Sequence, residues 1–209
     1  CIDMDIGLRN LDISLGLNDR ALMDFSDVAL GRCPLARAVV PHPTLKGLSL
    51  LTSPMSLPAS LTPEKIRALL DTARSMYDYI LIDSPAGLGA GFRLAICGAD
   101  RAVVVATNDA SSLRDAQRTV SELDHMRQVH LVMNRIQTKL LRRLRATIDD
   151  AMDAAGLPLI GVVPEDPYVI LCANLGQPLT DRGKRGAALA CWNIARRLEG
   201  QRVPIMRIR

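Results

Sequence analysis

The sequence predicts an α/β fold, a doubly wound and mainly parallel sheet with helices on both faces. Three observations predict it. Short apolar runs recur along the chain, segments of helical period lie between them, and aromatic residues are only 3% of the 209, so that Leu, Ile, Val, Ala and Met must fill the core. Apolar runs that do not alternate are expected of strands buried on both faces. Strand and helix in alternation define the class.

The strand-like runs are 47–51, 79–82, 102–105, 130–133 and 157–163. Thr62-Pro63 caps and opens the first helix between them, with Ile66, Leu69, Leu70 and Ala73 on one face. Ser112-x-x-Asp115 opens the next, carrying Leu113, Ala116, Val120 and Leu123. A third is expected from about Leu141, with Leu144, Ile148, Met152 and Ala155 inward and Gly156 as its stop. The last runs from about Gly186 to Leu198. There is no repeat, low-complexity tract or interdomain linker, so 1–200 reads as one domain and 201–209 as a short basic tail.

Composition narrows the function classes. With 48% apolar and 23% charged residues the chain can bury a real core. Its net charge of +4 collects at the end: from Arg182 to Arg209 eight Lys or Arg residues face the single acid Glu199. Such a patch attracts phosphates of lipid, nucleic acid or nucleotide, or is simply a solvated helix face. The five cysteines are an odd number without C-x-x-C spacing, which indicates neither a disulfide framework nor a zinc site. No apolar run reaches the roughly 18 residues of a membrane span, and nothing at the start reads as a signal peptide. A cytoplasmic location is expected.

In parallel α/β sheets ligands bind beyond the carboxyl ends of the strands. Three such places carry polar residues suited to chemistry. The run 3–12, D-M-D-I-G-L-R-N-L-D, places carboxylates at Asp3 and Asp5 before a Gly and an Arg. The run 79–87 ends an apolar strand in Asp83-Ser84-Pro85-Ala86-Gly87; an Asp so placed can hold Mg²⁺ through water, and a following Gly N–H can reach a terminal phosphate. Asn134-Arg135 ends a third strand with an amide that can pair with a nucleobase edge. Asp-x-Asp can also merely turn the chain, Asp83-Ser84-Pro85 can be an ordinary loop, and Asn134 can cap a helix.

Taken together, D-I-G-L-R-N-L-D and D-S-P-A-G resemble the two switches of the MinD-type ATPases, deviant-Walker-A P-loop NTPases of the SIMIBI-like class. The loop Gly161 to Asp166 and the following Ala173-Asn174-Leu175-Gly176-Gln177-Pro178 are similar to that family's late nucleotide-proximal segment, so the resemblance spans essentially the whole chain. ParA partition ATPases and the flagellar-number ATPase FlhG share the fold but match the first switch less well. The resemblance implies an ATP- and Mg²⁺-dependent switch in division septum site selection. In that reading Asp5 orients the attacking water, with Asp3 beside the metal and phosphates. Asp83 acts on Mg²⁺ largely through water, and Gly87 senses the γ-phosphate. Asn134 reads adenine, and Arg135 with Pro164, Glu165 and Asp166 walls the base. It further implies an ATP-bound homodimer, a MinC-like division inhibitor, a MinE-like or DivIVA-linked regulator, and peripheral association with the anionic inner face of the plasma membrane. A DNA-associated partition ATPase is the alternative, favoured by the basic C-terminal stretch.

One departure stands out. No G-x-x-x-x-G-K-[ST] occurs in the 209 residues. The first strand and phosphate loop of the fold are expected ahead of Cys1, within a βα unit of roughly 30 residues, and the 209-residue chain alone is expected to be inactive. After Gly200, Pro204 forbids a continuous amphipathic helix, so only weak, salt-sensitive lipid association through Arg202, Arg207 and Arg209 is expected.

Overall fold

A computed structural model describes residues 1–144 and 147–206. The side chain of Leu144 and the tail residues Arg207 and Arg209 lie outside the described residues. The chain forms two compact units, Cys1–Ala99 with Ala173–Gln177, and Asp100–Cys172 with Pro178–Arg209.

In the first unit β1 (Ile2–Asp3) leads through a loop to the short helix α1 (Leu11–Ser14). The capped helix α2 (Phe25–Ala29) follows: the Asp24 carboxylate accepts from the N–H groups of Ser26 and Asp27, and Asp27 returns a bond to the Asp24 N–H. This reciprocal capping anchors Phe25, which is fully buried. Next come α3 (Leu35–Ala38), β2 (Val40–Pro41) and β3 (Ser49–Leu50), the last two antiparallel. The helix α4 (Pro63–Arg74) buries Ile66, Leu69, Leu70 and Ala73, as its 3.6-residue period predicts. β4 (Ile82–Asp83) pairs in parallel with β1, Ile2 beside Ile82 and Asp3 beside Asp83. α5 (Ala90–Ile96) closes the unit. On its other side β1 exchanges hydrogen bonds with Leu51, from Asp3 N–H to the Leu51 carbonyl and from Leu51 N–H to the Cys1 carbonyl, both 2.9 Å. The run 47–51 thus bends: it begins antiparallel to β2 and ends as a parallel neighbour of β1.

The second unit has β5 (Ala102–Ala106), β6 (Val129–Ile136) and β7 (Leu159–Pro164) in one parallel sheet in that order. α6 (Ala110–Glu122) connects the first pair. α7 (Thr138–Leu144) and α8 (Ile148–Ala155) lie between β6 and β7. α9 (Pro167–Leu175), a 3₁₀ turn (Leu179–Arg182) and α10 (Gly186–Leu198) follow. α10 packs on β7 through a close contact: a β-carbon on Gly161 would stand 2.2 Å from Ile194 Cγ1, so only glycine admits the helix there.

Several expectations change. The helix expected from Leu141 is two helices, because Thr147 opens α8 with a capping box against Asp150. Ala155 faces inward as expected, but Ala151 joins it in the core in place of Ile148 and Met152, which are half-buried. α6 starts at Asp109 rather than Ser112: the Asp109 carboxylate accepts from the Ser112 N–H and from the hydroxyls of Ser111 and Thr107. These bonds hold its pKa well below the usual aspartate range, those from Ser111 and Thr107 contributing most. β5 is not buried on both faces, since Val104 and Ala106 are buried while Val103 and Val105 are exposed. Of the run 79–82 only Ile82 enters the ladder, and Tyr79 and Leu81 are exposed. Among the described residues β4 and β5 each hydrogen-bond a single neighbouring strand.

Candidate functional site

The polar residues expected at strand ends fall into two groups, one in each unit. In the first unit the parallel register of β1 and β4 sets Asp3 and Asp83 side by side. Asp3 is buried, and its two carboxylate oxygens fold the following loop around themselves: Oδ1 accepts the Asp5 N–H at 2.8 Å and Oδ2 the Leu11 N–H at 3.4 Å. Burial pushes the Asp3 carboxyl up, opposed by those two bonds and assisted by the charges of Asp5 and Asp12. Asp83 stands exposed at its strand end. It too is pushed up, first by desolvation and then by the charges of Asp3 and Asp5.

The loop carrying Asp5 is tied from three sides. Met4 N–H donates to the Asp83 carbonyl at 2.9 Å, Gly7 N–H to the Pro54 carbonyl at 3.2 Å, and the Ser53 hydroxyl to the Asp5 carbonyl at 3.0 Å. Asp5 itself is half-buried. Gly87 sits at φ +81° with open space where a side chain would be, so its backbone is free to be approached closely. Gly91 presses the start of α5 onto the same loop, with Pro85 Cγ 3.0 Å and Ile6 Cδ1 3.2 Å from where its β-carbon would be. The sequence reading missed Thr52 and Ser53, buried polar residues directly after the run 47–51. Their signal was available: polar side chains ending an apolar strand, the criterion applied to the three acids.

In the second unit Asn134 and Arg135 do not end their strand. They form a bulge in β6 between the Met133–Val162 and Ile136–Pro164 pairs, with Arg135 at φ +55°. The bulge swings Arg135 outward, where its Nε donates to Glu165 Oε2 at 3.0 Å. The Asn134 carboxamide oxygen accepts the Arg135 N–H at 2.9 Å, four residues ahead of α7, so it does not serve as a helix cap. Pro164 ends β7, and Glu165 N–H donates to the Ile136 carbonyl at 3.1 Å, which binds the 164–166 loop to the bulge. Asp166 turns the other way. Its Oδ1 accepts the Tyr168 N–H and its Oδ2 the Ala187 N–H, both at 3.0 Å.

Unit 1 therefore presents acids beside a tethered loop, and unit 2 an amide and an ion pair on a bulged strand end. Among the described residues no group of three or more His, Cys, Asp or Glu side chains is arranged to hold a metal ion directly. The charges of Asp3 and Asp5 beside the exposed Asp83 carboxylate nonetheless form a negative field suited to a hydrated divalent cation.

No protein-family model matches the chain. It is similar to the septum site-determining protein MinD of Synechocystis, 36% identical over 210 residues that cover 98% of this chain and 79% of that protein. The MinC:MinD cell division protein complex of Aquifex aeolicus contains a chain that superposes with a TM-score of 0.90 at 36% identity, covering 99% of this chain and 84% of that one. MinD of Pyrococcus horikoshii, solved with Mg-ADP, superposes with a TM-score of 0.79 over 95% of this chain and 82% of its own; at 24% identity that likeness shows the shared fold. On the strength of the first two, the chain belongs to the MinD family of septum site-determining proteins, within the ParA/MinD class of P-loop ATPases.

Proposed function

We propose that the chain serves septum site selection as an ATP-dependent switch, with Asp3, Asp5, Asp83 and Gly87 acting on the phosphates and metal and Asn134 reading the base. The observation that carries this is the Asp3–Asp83 pair with Asp5 on a loop wired to both strands. Asp3 holds the loop through its two backbone bonds and lends charge. Asp83 is the exposed carboxylate that would hold Mg²⁺ through its water, since magnesium keeps much of its hydration and takes one or two carboxylates. When bound, the cation supplies neutralisation of phosphate charge. Asp5 would orient the attacking water, and the unhindered Gly87 backbone would meet the terminal phosphate. In unit 2 Asn134 would read adenine beside Arg135, Pro164 and Glu165, while Asp166 supports that loop from behind through its bonds to Tyr168 and Ala187.

The oxygen-only donor set fits a hard cation, and the lack of a direct cage fits one held through water. The Mg-ADP bound to the Pyrococcus protein supports the same cofactors here. The Aquifex complex supports a MinC-like inhibitor as partner, and an ATP-bound homodimer is part of the same proposal. We place the protein peripherally at the inner face of the membrane; among the described residues no helix is long and apolar enough to cross one. The 209 residues contain no glycine-rich phosphate loop, so on its own the chain should hold Mg·ATP weakly. Calorimetry showing micromolar affinity would overturn that. In a protein carrying such a loop ahead of Cys1, Asp5→Ala should bind ATP and fail to hydrolyse it, because positioning water matters mainly in the transition state. Normal turnover by that variant would remove Asp5 from the mechanism.

A further inference from the structure

Unit 2 contains a cavity of about 240 Å³ lined by Asp166, Tyr168, Leu179, Arg182, Arg185 and Ala188. Only Asp166 among these belongs to the residues discussed for nucleotide. Its carboxylate is already occupied, each oxygen accepting a backbone N–H from the start of α9 or α10. The place where a Gly186 side chain would begin lies 2.3 Å from Asp166 Oδ2, so that carboxylate is packed in position. It does not pair with the arginines. Among the described residues neither Arg182 nor Arg185 makes an ion pair, although both line one small cavity.

The Arg182 guanidinium lies over the Tyr168 ring, 5.5 Å from its centroid. A guanidinium held over a ring in this way keeps N–H groups for a ligand. Leu179, Ala188 and the ring supply apolar walls. Two planar cations on one rim repel each other until an anion lies between them, and the guanidinium fork matches tetrahedral phosphate oxygens in pairs.

We propose that Arg182 and Arg185, with the Tyr168 ring, form a binding site for a phosphoryl group. The pocket is too small for a nucleotide; it takes the phosphate end of a small phosphomonoester or of a lipid headgroup. Glycerol 3-phosphate titrated into the chain by calorimetry, and sedimentation with phosphatidylglycerol vesicles, distinguish the two sources. Saturable binding in either arm is expected, with Arg182→Gln and Arg185→Gln each lowering affinity roughly tenfold, the scale of a lost charge-assisted bond. Tyr168→Leu should lower it a few-fold by freeing the stacked guanidinium. Arg118→Gln removes the same charge from α6 and should leave binding unchanged. All of these side chains are exposed, so the variants should fold. Absence of saturable binding in both arms, or an equal loss in Arg118→Gln, would overturn the proposal.

Discussion

The carboxylate of Asp3 accepts the backbone N–H of Asp5 at 2.8 Å, so the buried acid at the end of β1 fixes the turn that carries the next one. One residue thereby shapes the loop and the other, half-buried, is held on it. Asp83, level with Asp3 on the adjoining strand, completes a set of acids held close, with no ion pair to a base among the described residues.

That crowding should be visible as a pH dependence of stability. Desolvation first, and then the charges of Asp3 and Asp5, raise the Asp83 carboxyl, so the folded protein holds that proton more tightly than the unfolded chain. The resulting stability is fully present below the ordinary aspartate value of about 4 and is lost as pH rises through the raised value. Asp83→Asn should therefore unfold at a higher denaturant concentration than the wild type at pH 7, with the gap closing toward pH 3. Denaturation series at several pH values check this; a gap that widens in acid would contradict the assignment.

Ser53→Ala removes the side-chain bond to the Asp5 carbonyl, at a position with no solvent exposure. A loss of about 1 kcal/mol in unfolding free energy is expected, the usual net worth of such a bond. In a protein carrying the phosphate loop, hydrolysis should fall further than nucleotide affinity, because a looser loop misplaces Asp5. Equal losses in both would mean that Ser53 acts on stability alone.

These two residues show what was and was not legible in the sequence. Strand–helix alternation and the burial of α4 followed from periodicity, and the acids of β1 and β4 stood out because carboxylates rarely follow apolar runs without reason. The partnership of Asp3 with the Asp5 and Leu11 amides was not legible, since it depends on how the loop folds back. The bulge at Asn134 was hidden for a related reason: an inserted residue leaves the apolar pattern of Val132 and Met133 intact and shows only in the register against β7. The break between α7 and α8 could have been read from Thr147-x-x-Asp150, a capping signal that the continuing apolar period overrode.

Asn134→Ala tests the base-reading role in a protein with the phosphate loop. ATP affinity should fall and discrimination against GTP should relax, since the side chain that distinguishes the base edges is gone. Competition titrations with both nucleotides give the ratio directly. An unchanged ratio would leave Asn134 as a residue that only shapes the bulge.

Gly161→Ala probes the packing of α10 on β7. With the new methyl 2.2 Å from Ile194 Cγ1 and 2.6 Å from its Cδ1, the helix must shift or Ile194 must leave its rotamer. A destabilisation of roughly 1–3 kcal/mol is expected. Ile194→Ala added to it should recover part of that loss, a double-mutant coupling measurable by chemical denaturation; strict additivity would show that the clash is relieved elsewhere.

The end of the described chain behaves differently from a free tether. Residues 201–206 form no helix, in keeping with Pro204, yet they are bound to unit 2. Arg197 on α10 donates through Nε to the Val203 carbonyl and through Nη1 to the Ile160 carbonyl, both at 2.8 Å, and through Nη2 to the Pro204 carbonyl. Met206 packs against the cluster of Val132, Ile160 and Val163. A guanidinium can serve three carbonyls at fixed angles, which an ammonium on a flexible stem cannot do together. Arg197→Lys should keep the charge but release the segment. Trypsin cleavage after the exposed Arg202 should then quicken by roughly tenfold, the scale of one or two lost bonds to a charged donor. Unchanged cleavage would show that the Met206 contact holds the segment without the arginine.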